Sequence, residues 1–344
     1  MRHFCFVIFF FSFSISAFCQ QDFTVACIAF YNLENLFDTI DSPDTDDFEF
    51  TPLGPNVYNS AVYYDKLDKL SKVISELGVE VTPDGAALVG VSEIENRTVL
   101  EDLVRQPALK NRSYQILHHD SKDARGVDVA LLYQPKYFTP DTLIYHSLVT
   151  SDPGEEIKYS RDILVAVGSL NGEQIAVSIN HWPSRRGGES RTAHLRNAAA
   201  CFNKNILDSL TENNIVDKTI VMGDLNDDPI NDSIRKGLRS KRETTDLDKD
   251  DMYNPLEDFY RKGLGTTAYR NAWSLFDQII ISETLVNDNS GYRFYKAAIH
   301  NPSYLIENSG IYKGYPFRSY SNGSYTGGYS DHFPVHILVI REKK

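Results

Sequence analysis

Gln174-Ile175-Ala176-Val177-Ser178-Ile179-Asn180-His181-Trp182-Pro183 is the stretch around which the rest of the chain can be ordered. Its apolar positions form a short, β-branched run, which reads as a buried strand. Asn180 and His181 fall where that strand ends, and Pro183 stops it from continuing in a central sheet position. Ser184-Arg185-Arg186-Gly187-Gly188 follows as a cationic loop. An amide, an imidazole and two guanidiniums at a strand exit suit an anionic ligand. The plainer alternative is a strand leaving the core beside a solvated basic turn. Just upstream, Leu164–Leu170 is a second apolar run, joined to the first through Asn171-Gly172. An Asn-Gly pair fits a two-residue hairpin turn, so part of the sheet is expected to be antiparallel.

Outward from this hairpin the same pattern recurs: a short apolar strand, then polar residues. Thr24–Phe30 runs into Asn32, and Ala86–Val91 into Ser92-Glu93-Ile94-Glu95-Asn96. Thr219–Met222 runs into Gly223-Asp224-Leu225-Asn226, where Asp228 and Pro229 would cap and open a helix. Trp273–Ile281 encloses Asp277, and Ser330-Asp331-His332 precedes the last strand, Pro334–Ile340. Asn32 could equally be a turn residue bonding its own backbone. A carboxylate beside a buried strand needs a cation or a hydrogen-bond partner. If the strand continues, Glu93 and Glu95 point the same way. Further strands are expected at Tyr114–His118 and across Arg125–Tyr133, where Arg125 is either a site cation or an ordinary surface residue. Helices are expected over Ser60–Leu77, from Thr98 to Val104 and over Arg191–Leu210, the last burying Leu195, Ala199, Phe202, Ile206 and Leu210. Arg239–Lys262 reads as a solvated, charged excursion. Asn301–Tyr329, rich in Tyr, Gly and Ser, reads either as an aromatic stacking flap or as a loop packed by its own rings.

Length and composition narrow the options. Phe4–Phe18 is almost wholly apolar behind Arg2 and His3, which reads as a secretory signal over residues 1–20. Phe18 is bulky where a lipidation site before Cys19 would want a small residue. The remaining residues 21–344 contain no repeat and no Pro/Ser-rich linker, and are read as one domain. The mature chain is expected to be secreted or periplasmic, with no membrane span, no stable protein partner and a monomeric state. Cys27 and Cys201 could form one bridge at most, and two buried free thiols are the expected state. A net charge of −12 argues against a broad basic face for coating nucleic acid. It leaves room for a compact metal-centred site that handles an anion.

Collected, the strand ends supply Asn32, Glu93, Asn180 with His181, Asp224 with Asn226, Asp277, and Asp331 with His332. Oxygen donors of this kind suit Mg2+, with Mn2+ or Ca2+ as alternatives, far better than a zinc site of closely spaced Cys and His. The ordered motifs Tyr31-Asn32-Leu33-Glu34-Asn35, Ser92-Glu93-Ile94-Glu95-Asn96, Arg125-Gly126-Val127-Asp128, Asn180-His181-Trp182, Gly223-Asp224-Leu225-Asn226, Phe276-Asp277-Gln278 and Ser330-Asp331-His332 resemble the endonuclease/exonuclease/phosphatase superfamily. They run from residue 31 to 332, and the look is closest to secreted bacterial endonuclease-like members.

The resemblance implies an α/β fold: a four-layer, DNase I-like sandwich of two mostly antiparallel sheets flanked by helices. It implies that Glu93 binds the metal, with Asn32 and Asp331 supporting it directly or through water. Asp224 would activate the attacking water and Asn226 hold a phosphate oxygen. His181 and His332 would contact the phosphate and handle protons, with Asp277 orienting His332. Asn180, Arg125 and Arg185 would contact substrate. The expected activity is metal-dependent phosphodiester hydrolysis with nucleic acid, DNA or RNA, as substrate. The alternatives are a phosphoesterase for a sphingolipid or inositol phosphate, and a binding protein without catalysis.

Overall fold

The computed structural model describes residues 22–151 and 156–343, so the expected signal segment lies outside the described residues. In chain order the first half carries β1 (Phe23–Leu36), α1 (Ser60–Glu76), β2 (Leu88–Ile94), α2 (Arg97–Val104), β3 (Gln115–His118) and β4 (Asp128–Tyr133). Then come β5 (Phe138–His146), β6 (Ile163–Leu170), β7 (Glu173–His181), α3 (Glu189–Glu212) and β8 (Lys218–Asp224). The rest comprises β9 (Ser240–Lys241), β10 (Met252–Tyr253), α4 (Glu257–Arg261), β11 (Thr267–Tyr269), β12 (Ala272–Ser274), β13 (Asp277–Ser282) and α5 (Thr284–Asn287). It closes with β14 (Arg293–Ile299), β15 (Tyr320–Ser321), β16 (Ser324–Tyr325) and β17 (Val335–Glu342).

Two large sheets form, ordered β14-β17-β1-β2-β4-β3 and β5-β6-β7-β8-β13-β10-β9. Most pairs are antiparallel. Of the parallel pairs, β1–β2 and β7–β8 are joined through α1 and α3, as parallel neighbours need a long crossover, and the third is the short β9–β10 pair. Side-chain alternation then sorts the core into layers. Along β1, Cys27, Ala29, Tyr31 and Leu33 face α1 and α2, while Ala26, Ile28 and Phe30 face the second sheet. Along β7, Ile175, Val177 and Ile179 fill the space between the sheets, while Ala176 packs towards α3. The result is helices, sheet, sheet, helix: the expected four-layer sandwich.

Local signals explain several element ends. The hairpin turns at Asn171 (φ 49°) and Gly172 (φ 87°), the left-handed pair the Asn-Gly signal calls for. Asn59, not Ser60, caps α1, its side chain accepting from the Ala61 and Val62 N–H groups. Such a cap stabilises by ~1 kcal/mol.

Other expectations fail for identifiable reasons. The buried face of α3 carries Arg196, Asn203 and Lys204 alongside Ala199, Leu207 and Leu210, while Phe202 is 36% exposed. Periodicity misplaces this face because buried polar groups occupy it: Arg196 pairs with Asp227 at 2.7 Å and Asn203 bonds Asn180. Asp228 caps no helix; its carboxylate accepts from the Leu275 N–H. Arg239–Lys262 is not wholly solvated, since β9 and β10 extend the second sheet and Met252 and Leu256 are buried. The Trp273–Ile281 run splits into β12 and β13. The edge strand β5 lies outside the sequence expectation, its pattern of exposed and half-buried residues giving no continuous apolar run. Both cysteines are free as expected, but Cys201 is exposed.

Candidate active site

β1, β2, β7 and β8 leave the sandwich at one end, and β13 and β17 enter there. Register fixes the meeting: His181 pairs with Asp224, and Asp224 with Asp277. Gly223 is required here, because a Cβ would sit 2.3 Å from the Asn180 carbonyl oxygen.

Backbone irregularity aims several of these side chains. Glu93 has φ 57° and sits at a register shift against both β1 and β4. Bulges of this kind redirect side chains at sheet ends. The Glu93 carboxylate accepts from the Asn35 N–H at 3.1 Å and lies 3.7 Å from His181 Nε2. Glu95 therefore does not share its direction: it bonds the Asp38 N–H and the Ser42 hydroxyl instead. Asn226, at φ 51°, donates its backbone N–H to Asp224 and its side chain to the Trp182 carbonyl.

Asp224 occupies the centre. Asn32 donates to its Oδ2 at 3.0 Å, His181 Nε2 lies 3.6 Å away and His332 Nε2 4.0 Å away. Burial, with Asp277 and Glu93 nearby, lifts the Asp224 pKa to about 7, against the pull of His332. The two histidines are driven apart. Burial alone would lower the His332 pKa, but Asp277 at 2.6 Å, helped by Asp224 and Asp331, holds it well above its ordinary value. Burial, then Arg161, Arg125 and His332, push His181 well below its own. The site thus carries one imidazolium and one neutral imidazole.

Glu93, His181 and Asp224 present donor atoms all within 4.8 Å of one another. That set, with His181 Nε2 3.7 Å from Glu93 and 3.6 Å from Asp224, fits a divalent cation. Asp331 stands at the rim, 4.0 Å from His332 Nε2 and 3.6 Å from Arg318. Asn32 acts on Asp224, since its own amide oxygen is taken by the Glu34 N–H.

Two expected substrate contacts are not brought to the group. Asn180 points the other way from His181, as neighbours on a strand must, and its amide bonds Ser178, Trp182 and Asn203 beneath the sheet. Arg185 stacks on Phe276 and is engaged with the Asn226 carbonyl, Asp227, Asp228, Glu189 and Asn231. Arg125 stays half-exposed beside Asp123. The tyrosines of Asn301–Tyr329 are mostly half-buried and paired with one another, Tyr304 with Tyr329 and Tyr320 with Tyr325.

Sequence reasoning missed Arg161 and Lys66. The buried Arg161 guanidinium donates to the His181 and Trp182 carbonyls at 3.1 and 2.6 Å and pairs with Asp123. Continuing the register of the hairpin places Arg161 opposite Trp182, a signal present in the sequence. Lys66, fully buried, donates to the Glu34 carbonyl and the Ser319 hydroxyl. It sits among apolar positions of α1, and nothing in the pattern marks it.

The fold and this strand-end cluster are those of a class of structure whose family hydrolyses phosphoester bonds. A family model described as Endonuclease/Exonuclease/phosphatase family matches residues 27–341, and the chain belongs to that family. No curated protein matches it by sequence. Among solved structures it is similar to an endonuclease/exonuclease/phosphatase family protein of Bacteroides thetaiotaomicron (16% identity, 94% of this chain and 100% of that one, TM-score 0.52). It is also similar to a mannosyl-6-phosphatase of B. thetaiotaomicron VPI-5482 (15% identity, 91% and 99%, TM-score 0.54). A third is D. rerio TDP2 complexed with single-strand DNA product (13% identity, 92% and 99%, TM-score 0.54). At these identities the likeness carries the fold alone.

Proposed function

We propose that the chain is a divalent-metal-dependent phosphodiester hydrolase, with nucleic acid as its first substrate class. The observation that carries this reading is the split pair of histidines around Asp224, beside a three-donor cation set. Glu93, Asp224 and His181 would hold the ion, Mg2+ or Mn2+, with Asp331 at the rim. When bound, the ion supplies charge stabilisation for the phosphoryl oxygens.

The remaining work belongs to the side chains. Asp224, kept ionised by the neighbouring ion, orients the attacking water by accepting its hydrogen bond. The His332 imidazolium, fixed by Asp277, neutralises charge developing on the phosphoryl group. Asn226 shapes the loop beside Asp224. Arg125 and Arg318, both partly exposed, flank the site as candidate phosphate contacts.

The second reading, a small or lipid phosphoester, is favoured by a specific observation. Arg185, which would have extended a polyanion track, is spent on holding the Asn226–Asn231 loop. The net charge of −12 points the same way. Purified protein assayed on plasmid DNA, RNA and bis-p-nitrophenyl phosphate, with magnesium or EDTA, separates the two. Metal-dependent nicking abolished by Asp224→Asn supports the nuclease. Turnover of the small diester alone moves the assignment to the second reading. Metal-independent turnover removes both.

We further propose that residues 1–20 are cleaved on export and that residues 21–344 work as one secreted or periplasmic monomer. The intact mass of exported protein, and its elution volume, test both.

A further inference from the structure

The second sheet ends in a row of polar groups longer than the catalytic cluster itself. His181 pairs with Asp224, and Asp224 with Asp277. Leu164 pairs with Ile179, and two further steps of that register set Asp162 opposite His181. Leu164 and Ile179 both fill the space between the sheets, so alternation turns Asp162 and His181 to the same face. Tyr145, which pairs with Leu164 from the edge strand β5, shares that face.

Each end of the row is met by an imidazole from the first sheet. His332, just before β17, bonds Asp277. His119, directly after β3, bonds Asp162 through Nδ1 at 2.9 Å. The Asp162 side chain is 3% exposed and its other oxygen has no partner. A buried carboxylate needs a donor or a cation, and the His119 ring meets that need, which fixes the ring in place. Tyr145 stacks on it, with 3.5 Å between ring centroids and 15° between planes. Tyr145 is nevertheless 50% exposed. One face of the tyrosine is clamped against a pinned imidazole while the rest of its ring is open. Neighbouring strands lie about 4.8 Å apart, so β5 stands roughly 14 Å across the sheet from Asp224 on β8. A nucleotide one or two positions along from a phosphate at Asp224 spans that distance.

We propose that Tyr145, backed by His119 and Asp162, is a stacking platform for a nucleobase flanking the scissile phosphate. The inference deepens the nucleic-acid reading above and rests on it. Every base offers a π-face, so stacking on an aromatic ring is tolerant of sequence. It also adds affinity without a basic track, as a chain of net charge −12 requires. Tyr145 makes the contact; His119 and Asp162 are positioning residues.

The test compares single-stranded oligothymidylate of about eight nucleotides with an abasic chain of the same phosphate count. Binding is read by anisotropy with calcium in place of magnesium. The wild type should prefer the chain that carries bases. Tyr145→Ala should weaken oligothymidylate binding about tenfold, leave abasic binding as it was, and leave kcat for bis-p-nitrophenyl phosphate unchanged. Tyr145→Phe, which keeps the ring, should bind as the wild type does, and His119→Ala should show a smaller loss confined to oligothymidylate. A wild type without preference for bases, a Tyr145→Ala protein that keeps the preference, or equal loss on both chains overturns the platform. Metal-dependent turnover of the small diester would still leave the hydrolase reading standing. A wild type inert towards both oligothymidylate and the small diester with magnesium overturns that reading and the platform with it.

Discussion

His332 and His181 are the same residue type in opposite charge states a few ångströms from one carboxylate. The cause lies in their surroundings: Asp277 bonds one ring, while burial and the nearby charges of Arg161 and Arg125 depress the other. Replacing His332 with Ala, Asp224 with Asn or Glu93 with Ala should each lower turnover by roughly 10²–10⁴-fold, with unchanged far-UV circular dichroism. Wild-type turnover in any of them ends that residue's role. Asp224 also sets a pH signature. Its folded pKa, about 7, is above the ordinary carboxyl value, so its stabilising contribution is greatest in acid and is lost as pH rises through 7. A bound cation restores a partner to the ionised carboxylate. Saturating magnesium should therefore raise the melting temperature more at pH 8 than at pH 5. An equal gain at both pH values would place the ion away from Asp224.

At the scale of elements, the catalytic end depends on segments fastened to it by buried charge. The Glu34 carboxylate accepts the Ser319 and Tyr320 N–H groups, and the Lys66 ammonium reaches the Ser319 hydroxyl. Together they pin the Tyr-rich segment to the exit of β1. Burial, reinforced by Asp331, lifts the Glu34 pKa to about 7. Lys66→Met should destabilise the protein by roughly 3 kcal/mol, because it strands buried polar partners. Amide exchange should rise first across residues 317–329; protection there equal to wild type would refute the clamp. Arg161→Met should cost a similar roughly 3 kcal/mol by stranding the buried His181 and Trp182 carbonyls, and should lower turnover through the freed His181–Trp182 turn. Stability loss with turnover per folded molecule unchanged would reduce Arg161 to a structural role.

Across the whole molecule, the net charge of −12 sets the terms for any polyanionic substrate. With Arg125, Arg318 and the His332 imidazolium as the proposed phosphate contacts, binding to duplex DNA should weaken with salt at a log–log slope no steeper than about −3. A slope several times larger, measured by anisotropy with calcium in place of magnesium, would reveal a basic track elsewhere on the surface.

Much of this architecture is written locally. Apolar runs such as Ile175–Ile179 and Thr219–Met222, each closing on a polar exit, and the Asn171-Gly172 turn need only neighbouring residues to be read, and they fixed the strands and the end where the site lies. The residue types that gather there, Glu93, Asp224, Asp277 and His332, were legible for the same reason. Direction and partnership were not. Whether Arg185 is free, and that Lys66 and Arg161 are buried, were decided by groups far away in sequence. The bulge at Glu93 exists only once β2 is paired with β1 and β4, and the Arg196–Asp227 pair only once α3 packs on the second sheet. Strand and helix periodicity places a side chain on a face, whereas burial and pairing energies, which depend on what packs against that face, determine what it does.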